Sequence, residues 1–298
     1  MPVRFSDPSE LISPKAVARL LQILFTCSAL GLSQTAGGNP GTDAGFTAFA
    51  ITTWCISFTS TLVVFVIEFT QLHSLFPPTW KNLSVALAAF CGLMNLTTSL
   101  TYPLLAVGAG QAAPCLRHTD WSRRPCSYHA AATACCCLAV VAYAAEVCVS
   151  RRGRPASYMA TGPGLLKVVQ LNVACGLSVP MATGAFPASP ALWGGAAAAL
   201  GACALLSLVA VVTALECRAC CPVPRERLLA AASALGALTY GAALVVWTFR
   251  LSRQAATASG VTDCGWKVCL MSTVLLSINL LAYATDLVFS IKLSCSRN

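Results

Sequence analysis

From Val168 to Leu215 the chain carries no charged side chain. As a helix at about 1.5 Å per residue this run would be roughly 70 Å long, about twice the hydrocarbon core of a bilayer, so it must fold back on itself. Pro187 and Pro190, in GAFPASPALW, mark the bend and leave spans at 165–184 and 192–215. The remaining charges divide the rest of the chain in the same way, because charge at bilayer depth is expensive. Uncharged apolar runs fill Leu20–Ala36, Phe46–Ile67, Leu83–Val107, Ser127–Ala145 and Leu228–Phe249, and Val268–Ile291 completes the set with Asp286 as its one charge, near the inner end. Eight spans follow, and the fold class is an all-α membrane protein. Charged residues make up 10% of the 298, too few to cover a soluble domain, which carries about 25%. That excludes an ordinary cytosolic enzyme, a nucleic-acid binder and a disordered chain.

An even number of spans puts both termini on one side, and the basic residues say which. With the N-terminus inside, 13 of the 19 Lys and Arg fall on inner segments and 6 on outer ones. Cytoplasmic termini are therefore predicted, and the net charge of +9 reports topology, not an acidic partner. A cleaved signal peptide is the competing account of the first run, but Leu20–Ala36 is long for one, and Asp7 and Glu10 precede it. The C-terminal Cys295-Ser296-Arg297-Asn298 lacks the aliphatic pair of a prenylation motif.

The eight spans read as two copies of four. A shift of 148 places Arg19 on Lys167, Gln22 on Gln170, Cys27 on Cys175, Cys55 on Cys203 and Glu68 on Glu216. A shift of 140 places AYAAE (142–146) on AYATD (282–286). The predicted organisation is an N-terminal segment at 1–15, a four-helix unit at 16–152, a linker at 153–163, a second unit at 164–294 and a tail at 295–298. Four helices is an even number, so the copies are parallel repeats and not inverted ones, which weakens a transporter reading although some transporters also use parallel repeats.

The opening SPKAVARLLQILFTCSALGLS, the short loops and the fourth-helix Tyr-x-x-acid resemble tandem MARVEL domains. The arrangement as a whole is similar to the myeloid-associated differentiation marker family, over nearly the full chain. The resemblance implies a multipass protein of cholesterol-rich plasma-membrane, vesicle or junction zones that organises lipids and other membrane proteins by lateral packing. It implies no known chemistry.

Charges at the inner boundary form the first candidate site. Arg19, Lys81, Lys167 and Arg227 begin the odd helices, and Glu68, Glu146, Glu216 and Asp286 sit near the inner ends of the even ones. Opposite charges at similar depth are expected to pair across helices as a structural clamp. An ion or proton relay is the sharper alternative, and it is disfavoured because all four acids lie near one face. At mid-depth Asn95, Thr97, Thr98 and Asn279 are read as interhelical hydrogen-bonding groups.

Cysteine chemistry depends on the side of the membrane. Cys115 and Cys126, on the outer segment between spans three and four, are a disulfide candidate. Cys115-x-x-His118 with Cys126-x-x-His129 offers a weaker zinc reading. On the inner side Cys217, Cys220 and Cys221 flank Arg218 and are candidates for S-acylation, with inert thiols as the alternative.

With three histidines and no P-loop or GxGxxG, no catalytic set and no cofactor can be drawn. The leading expectation is a non-enzymatic organiser of ordered membrane domains, without nucleic acid or small-molecule substrate. The alternative is a channel or transporter with a passage between the halves.

Overall fold

A computed structural model describes residues 12–36, 44–72, 77–106, 124–152, 161–182, 190–215, 225–256 and 266–295. Ser13 and Pro14 start the first helix. The Ser13 hydroxyl accepts from the Ala16 amide at 3.2 Å, and Pro14 stands where a missing N–H leaves nothing unpaired. This helix, α1, spans Pro14–Thr35. It is followed by α2 (Ala44–Phe69), α3 (Pro77–Thr101), α4 (Arg124–Arg152), α5 (Gly162–Ala182), α6 (Pro190–Leu215), α7 (Arg225–Ala256) and α8 (Trp266–Cys295). A π-helical turn, Tyr102–Ala106, prolongs α3. Pro103 explains it, since proline removes one donor and crowds the carbonyl a turn back, which widens the coil. The described residues contain no strand, and eight helices are long and apolar enough to cross a membrane, matching the eight predicted spans.

Lipid inverts the usual amphipathic rule. In α1 the buried positions are Ala18, Arg19, Gln22, Thr26 and Ala29, three and four apart, while Val17, Leu20 and Leu24 face outward. Apolar side chains gain nothing by leaving hydrocarbon, whereas polar groups there can be satisfied only by one another. α2 repeats the pattern, with Thr53, Ser57 and Thr61 buried and Ile56, Val63 and Val66 exposed.

The chain divides into two compact units, Met1–Thr161 and Gly162–Asn298. In the first, α1 and α3 each pack against both α2 and α4, closing a ring in chain order. In the second, α5 and α7 each pack against both α6 and α8, in the same order. Both rings are tied across by a tyrosine from the fourth helix. The Tyr143 hydroxyl lies 2.7 Å from Thr61 Oγ1 and donates to the Ser57 carbonyl at 3.1 Å. Tyr283 lies 2.6 Å from Ser207 Oγ and donates to the Cys203 carbonyl at 3.3 Å. A glycine on the third helix makes room for each ring. A methyl at Gly92 would stand 2.9 Å from Tyr143 Cβ, and one at Gly236 would stand 2.8 Å from Tyr283 Cζ.

These contacts also correct the repeat register of the second helix. Ser57 matches Cys203 and Thr61 matches Ser207, an offset of 146 in both cases (203 − 57, 207 − 61), where matching identical letters aligned Cys55 with Cys203 at 148. In an apolar helix identical letters recur by composition, so partners define the register better.

Candidate functional site

At one end of the first unit, Arg19 is the centre of a buried charge cluster. Its side chain is 2% exposed. From α1 the guanidinium reaches all three other helices. Nε donates to Glu146 Oε1 of α4 at 2.7 Å, Nη2 donates to Ser84 Oγ of α3 at 2.7 Å, and Nη1 pairs with Glu68 Oε2 of α2. One turn further along α1, Gln22 Nε2 donates to Glu146 Oε2 at 2.9 Å and to the Ala142 carbonyl at 3.3 Å. Glu68 is closer to the surface, where Lys15 Nζ at 3.1 Å and Trp80 Nε1 at 3.2 Å also donate to it. Two cations thus face two anions, and each carboxylate has several donors. That degree of satisfaction is what lets a buried ion pair persist, because desolvating the charges otherwise outweighs their attraction.

The second unit builds the corresponding cluster from fewer groups. Lys167 of α5, with its side chain 5% exposed, pairs with Asp286 of α8 and donates to Ser233 Oγ of α7 at 3.1 Å. Ser233 also donates to Asp286. Gln170 Nε2 reaches Asp286 Oδ2 at 3.4 Å and the Ala282 carbonyl at 3.5 Å. Arg19 and Lys167, Gln22 and Gln170, Glu146 and Asp286, and Ala142 and Ala282 therefore play matching parts.

Of the eight predicted ion-pair residues, the structure brings together Arg19, Glu68 and Glu146 in one unit and Lys167 and Asp286 in the other. Lys81 stands apart: it is exposed and pairs with no acid among the described residues. Lys81 stands at the start of α3 beside the buried Trp80, and the position that turns into the cluster is Ser84, 2% exposed, one turn further along. Glu216 and the side chain of Arg227 lie outside the described residues. So do Cys115, Cys217, Cys220 and Cys221. Cys126 is buried and disulfide-bonded, as is Cys269, and neither partner is among the described residues. A disulfide sulfur is no thiolate ligand, which removes Cys126 from the zinc reading, and no metal-holding group of His, Cys, Asp and Glu occurs among the described residues.

Sequence reasoning missed Lys15, Trp80, Ser84 and Ser233. The two serines were open to discovery, since an offset of 149 relates them, one step from the shift that matched the basic residues. Nothing in the letters marked Trp80.

Mid-bundle polar groups divide between the units. Asn95 Nδ2 donates to Ser57 Oγ of α2 at 2.8 Å, and Cys136 of α4 packs on the same asparagine, its Sγ 3.3 Å from the Asn95 carbonyl. Trp54 Nε1 donates to that sulfur at 3.4 Å. Asn279 of α8 is fully buried and faces Tyr240 of α7, although its amide meets no strictly aligned hydrogen-bond partner among the described residues. At the far end of the first unit the Tyr102 hydroxyl meets His129 Nδ1 at 2.7 Å, and the Tyr102 ring meets Trp54 edge-on at 5.1 Å.

Residues 10–149 match the MARVEL family, described as a membrane-associating domain. The myeloid-associated differentiation marker of Pongo abelii is 34% identical over 97% of this chain and 91% of its own. A homolog of that marker from Xenopus laevis is 30% identical over 96% and 95%. The myeloid-associated differentiation marker-like protein 2 of Xenopus laevis is 31% identical over 92% and 91%. No solved structure matches the chain. A MARVEL domain, eight apolar helices and relatives aligned over nearly the whole length establish that this chain is a multipass membrane protein of the myeloid-associated differentiation marker family.

Proposed function

We propose that the protein is a non-enzymatic organiser of ordered membrane domains in the plasma membrane or vesicles, acting through the outer faces of its two helix bundles on lipids and neighbouring membrane proteins. The observation that carries this reading is where the polar groups go. Arg19, Glu146, Asn95, Tyr143, Lys167, Asp286 and Tyr283 are all buried and engaged between helices of their own unit. What remains for the surroundings is apolar, with Leu24, Val141, Leu205, Leu238 and Leu281 more than half exposed. A passage for ions or solutes needs polar groups that face an open path. Asn95 faces Ser57 and Cys136 instead.

The second unit is a diverged copy of the same domain, supported by its identical ring order and by the matched basic, glutamine, acidic and tyrosine positions. Cytoplasmic termini are supported by the 13 to 6 basic split and by the disulfide-bonded Cys126 and Cys269, which begin α4 and α8 at the end away from the charge clusters. Disulfides persist in oxidising compartments. Acylation of Cys217, Cys220 or Cys221 would add an inner-face anchor.

Fluorescently tagged full-length protein in giant plasma-membrane vesicles tests the reading. Enrichment in the liquid-ordered phase, with no ion or solute flux above protein-free vesicles after reconstitution, is the expected result. Exclusion from the ordered phase contradicts the organiser, and saturable flux would replace it with a transporter.

A further inference from the structure

The charge cluster of the first unit does not fill its own space. A half-open cleft with about 10 Å³ of room for the centre of a water-sized sphere is lined by Arg19, Gln22, Thr61, Ser84, Tyr143 and Glu146, among others. A cavity of that size, if polar, holds about one water. Gln22 supplies the polar demand. It is fully buried, and its Nε2 is committed to Glu146 Oε2 and the Ala142 carbonyl. Both of those are acceptors, so a flipped amide would set oxygen against oxygen, and the orientation is fixed by its neighbours. The remaining atom, Oε1, is an acceptor with no donor among the described residues. Gln170 repeats this in the second unit, with Nε2 spent on Asp286 and Ala282 and Oε1 without a donor. The recurrence makes the free carbonyl a property of the repeat and not an accident of one side chain.

The occupant must be small and neutral and must donate. Lys15 and Arg19 balance Glu68 and Glu146, so the site has no surplus charge to hold an ion. We propose that a single water molecule is a built-in component of the first unit's charge cluster, donating to Gln22 Oε1 and sharing its cavity with Tyr143, Ser84 and the Arg19–Glu146 pair. It completes the hydrogen bonding of α1 against the other helices inside the bundle, where the Gln22 carbonyl is sealed from outside solvent by its neighbours.

X-ray hydroxyl-radical footprinting of the full-length protein in nanodiscs tests this, because radicals generated from a bound water oxidise the side chains beside it. Tyr143 and Tyr240 are equally inaccessible, at 1% and 0% exposed, but only Tyr143 lines the cavity. Tyr143 should be oxidised at least fivefold faster than Tyr240. Ala88 also lines the cavity without touching the clamp's hydrogen bonds, so Ala88→Val should fill it and bring Tyr143 down to the Tyr240 rate. Equal rates in the unmodified protein would overturn the proposal whether or not the variant folds. Fast Tyr143 oxidation that survives in a folded Ala88→Val protein would overturn it too, by showing that solvent arrives another way.

Discussion

The first unit centres its charge cluster on an arginine and the second on a lysine, and the rest of each cluster follows from that choice. Guanidinium offers five donors in a planar fork, and Arg19 uses them to reach α2, α3 and α4 at once. Ammonium is a compact charge, and Lys167 reaches α7 and α8. Correspondingly the first cluster holds two carboxylates, and the second, among the described residues, holds one. The core above each cluster differs in the same sense. Asn95, Ser57, Trp54 and Cys136 make a hydrogen-bonded layer in the first unit, whereas Leu177, Tyr240, Leu276 and Trp247 fill the second with aliphatic and aromatic bulk. The tyrosine tie from the fourth helix is the same in both. The repeat thus preserves a cation on the first helix, an acid on the fourth and a tyrosine three residues before it, and leaves the remaining core free to diverge.

The largest expected difference comes from removing the two cations. Arg19→Met strands Glu146 and takes one of two cationic partners from Glu68, which costs about 5 kcal/mol of first-unit stability, at the top of the range for breaking a buried pair. Lys167→Met strands one acid to which Gln170 and Ser233 still donate, and falls near the bottom of that range, about 3 kcal/mol. Buried free thiols report each unit separately: pulsed alkylation of Cys91 and Cys136 follows the first and of Cys203 the second. Equal losses in both units would erase the distinction between the two clusters.

Next come the glycines under the tyrosines. Gly236→Ala drives a methyl into the rigid Tyr283 ring and should lower second-unit stability by about 1–3 kcal/mol. Gly201→Ala, with nothing within 4 Å, should be neutral or slightly stabilising, since alanine is the better helix former. Cys203 alkylation during denaturant titration in nanodiscs measures both.

The smallest effect belongs to the shared tie. Tyr143→Phe and Tyr283→Phe each remove a hydroxyl contact worth about 0.6 kcal/mol between membrane helices. The two losses should agree within about 0.5 kcal/mol by the same thiol assay. A loss confined to one unit would show that the tyrosines are matched in position but not in role.

The spans were legible because charge is excluded from hydrocarbon: the positions of Asp, Glu, Lys and Arg, with the length and the prolines of the one run that must fold back, were enough to find eight helices. The cations and acids of the two clusters were legible for the same reason, as charges recurring at fixed offsets near span ends. What the letters could not convey was direction around the helix. Lys81 and Ser84 sit three residues apart on α3, and the serine, not the lysine, is buried. Lys15 reads as a terminal positive-inside residue until Glu68 is seen beside it. Asn279 and Asn95 look alike in sequence, but the facing helix sets the partner: Asn95 donates to Ser57, whereas Asn279 faces the bulkier Tyr240.

The central claim is that the buried charges act between helices and not each for itself, and a double-mutant cycle on Arg19 and Glu146 tests it most directly. Arg19→Met leaves a buried carboxylate short of its cation, and Glu146→Gln leaves a buried guanidinium short of an anion, so each alone costs about 3–5 kcal/mol. The double variant removes both stranded charges, while Lys15 still pairs with Glu68. First-unit stability, read from Cys136 alkylation, should therefore fall less in the double variant than in either single one, so that the coupling energy exceeds the larger of the two single losses. Single losses that simply add in the double variant would contradict the clamp and show that the two side chains are solvated independently.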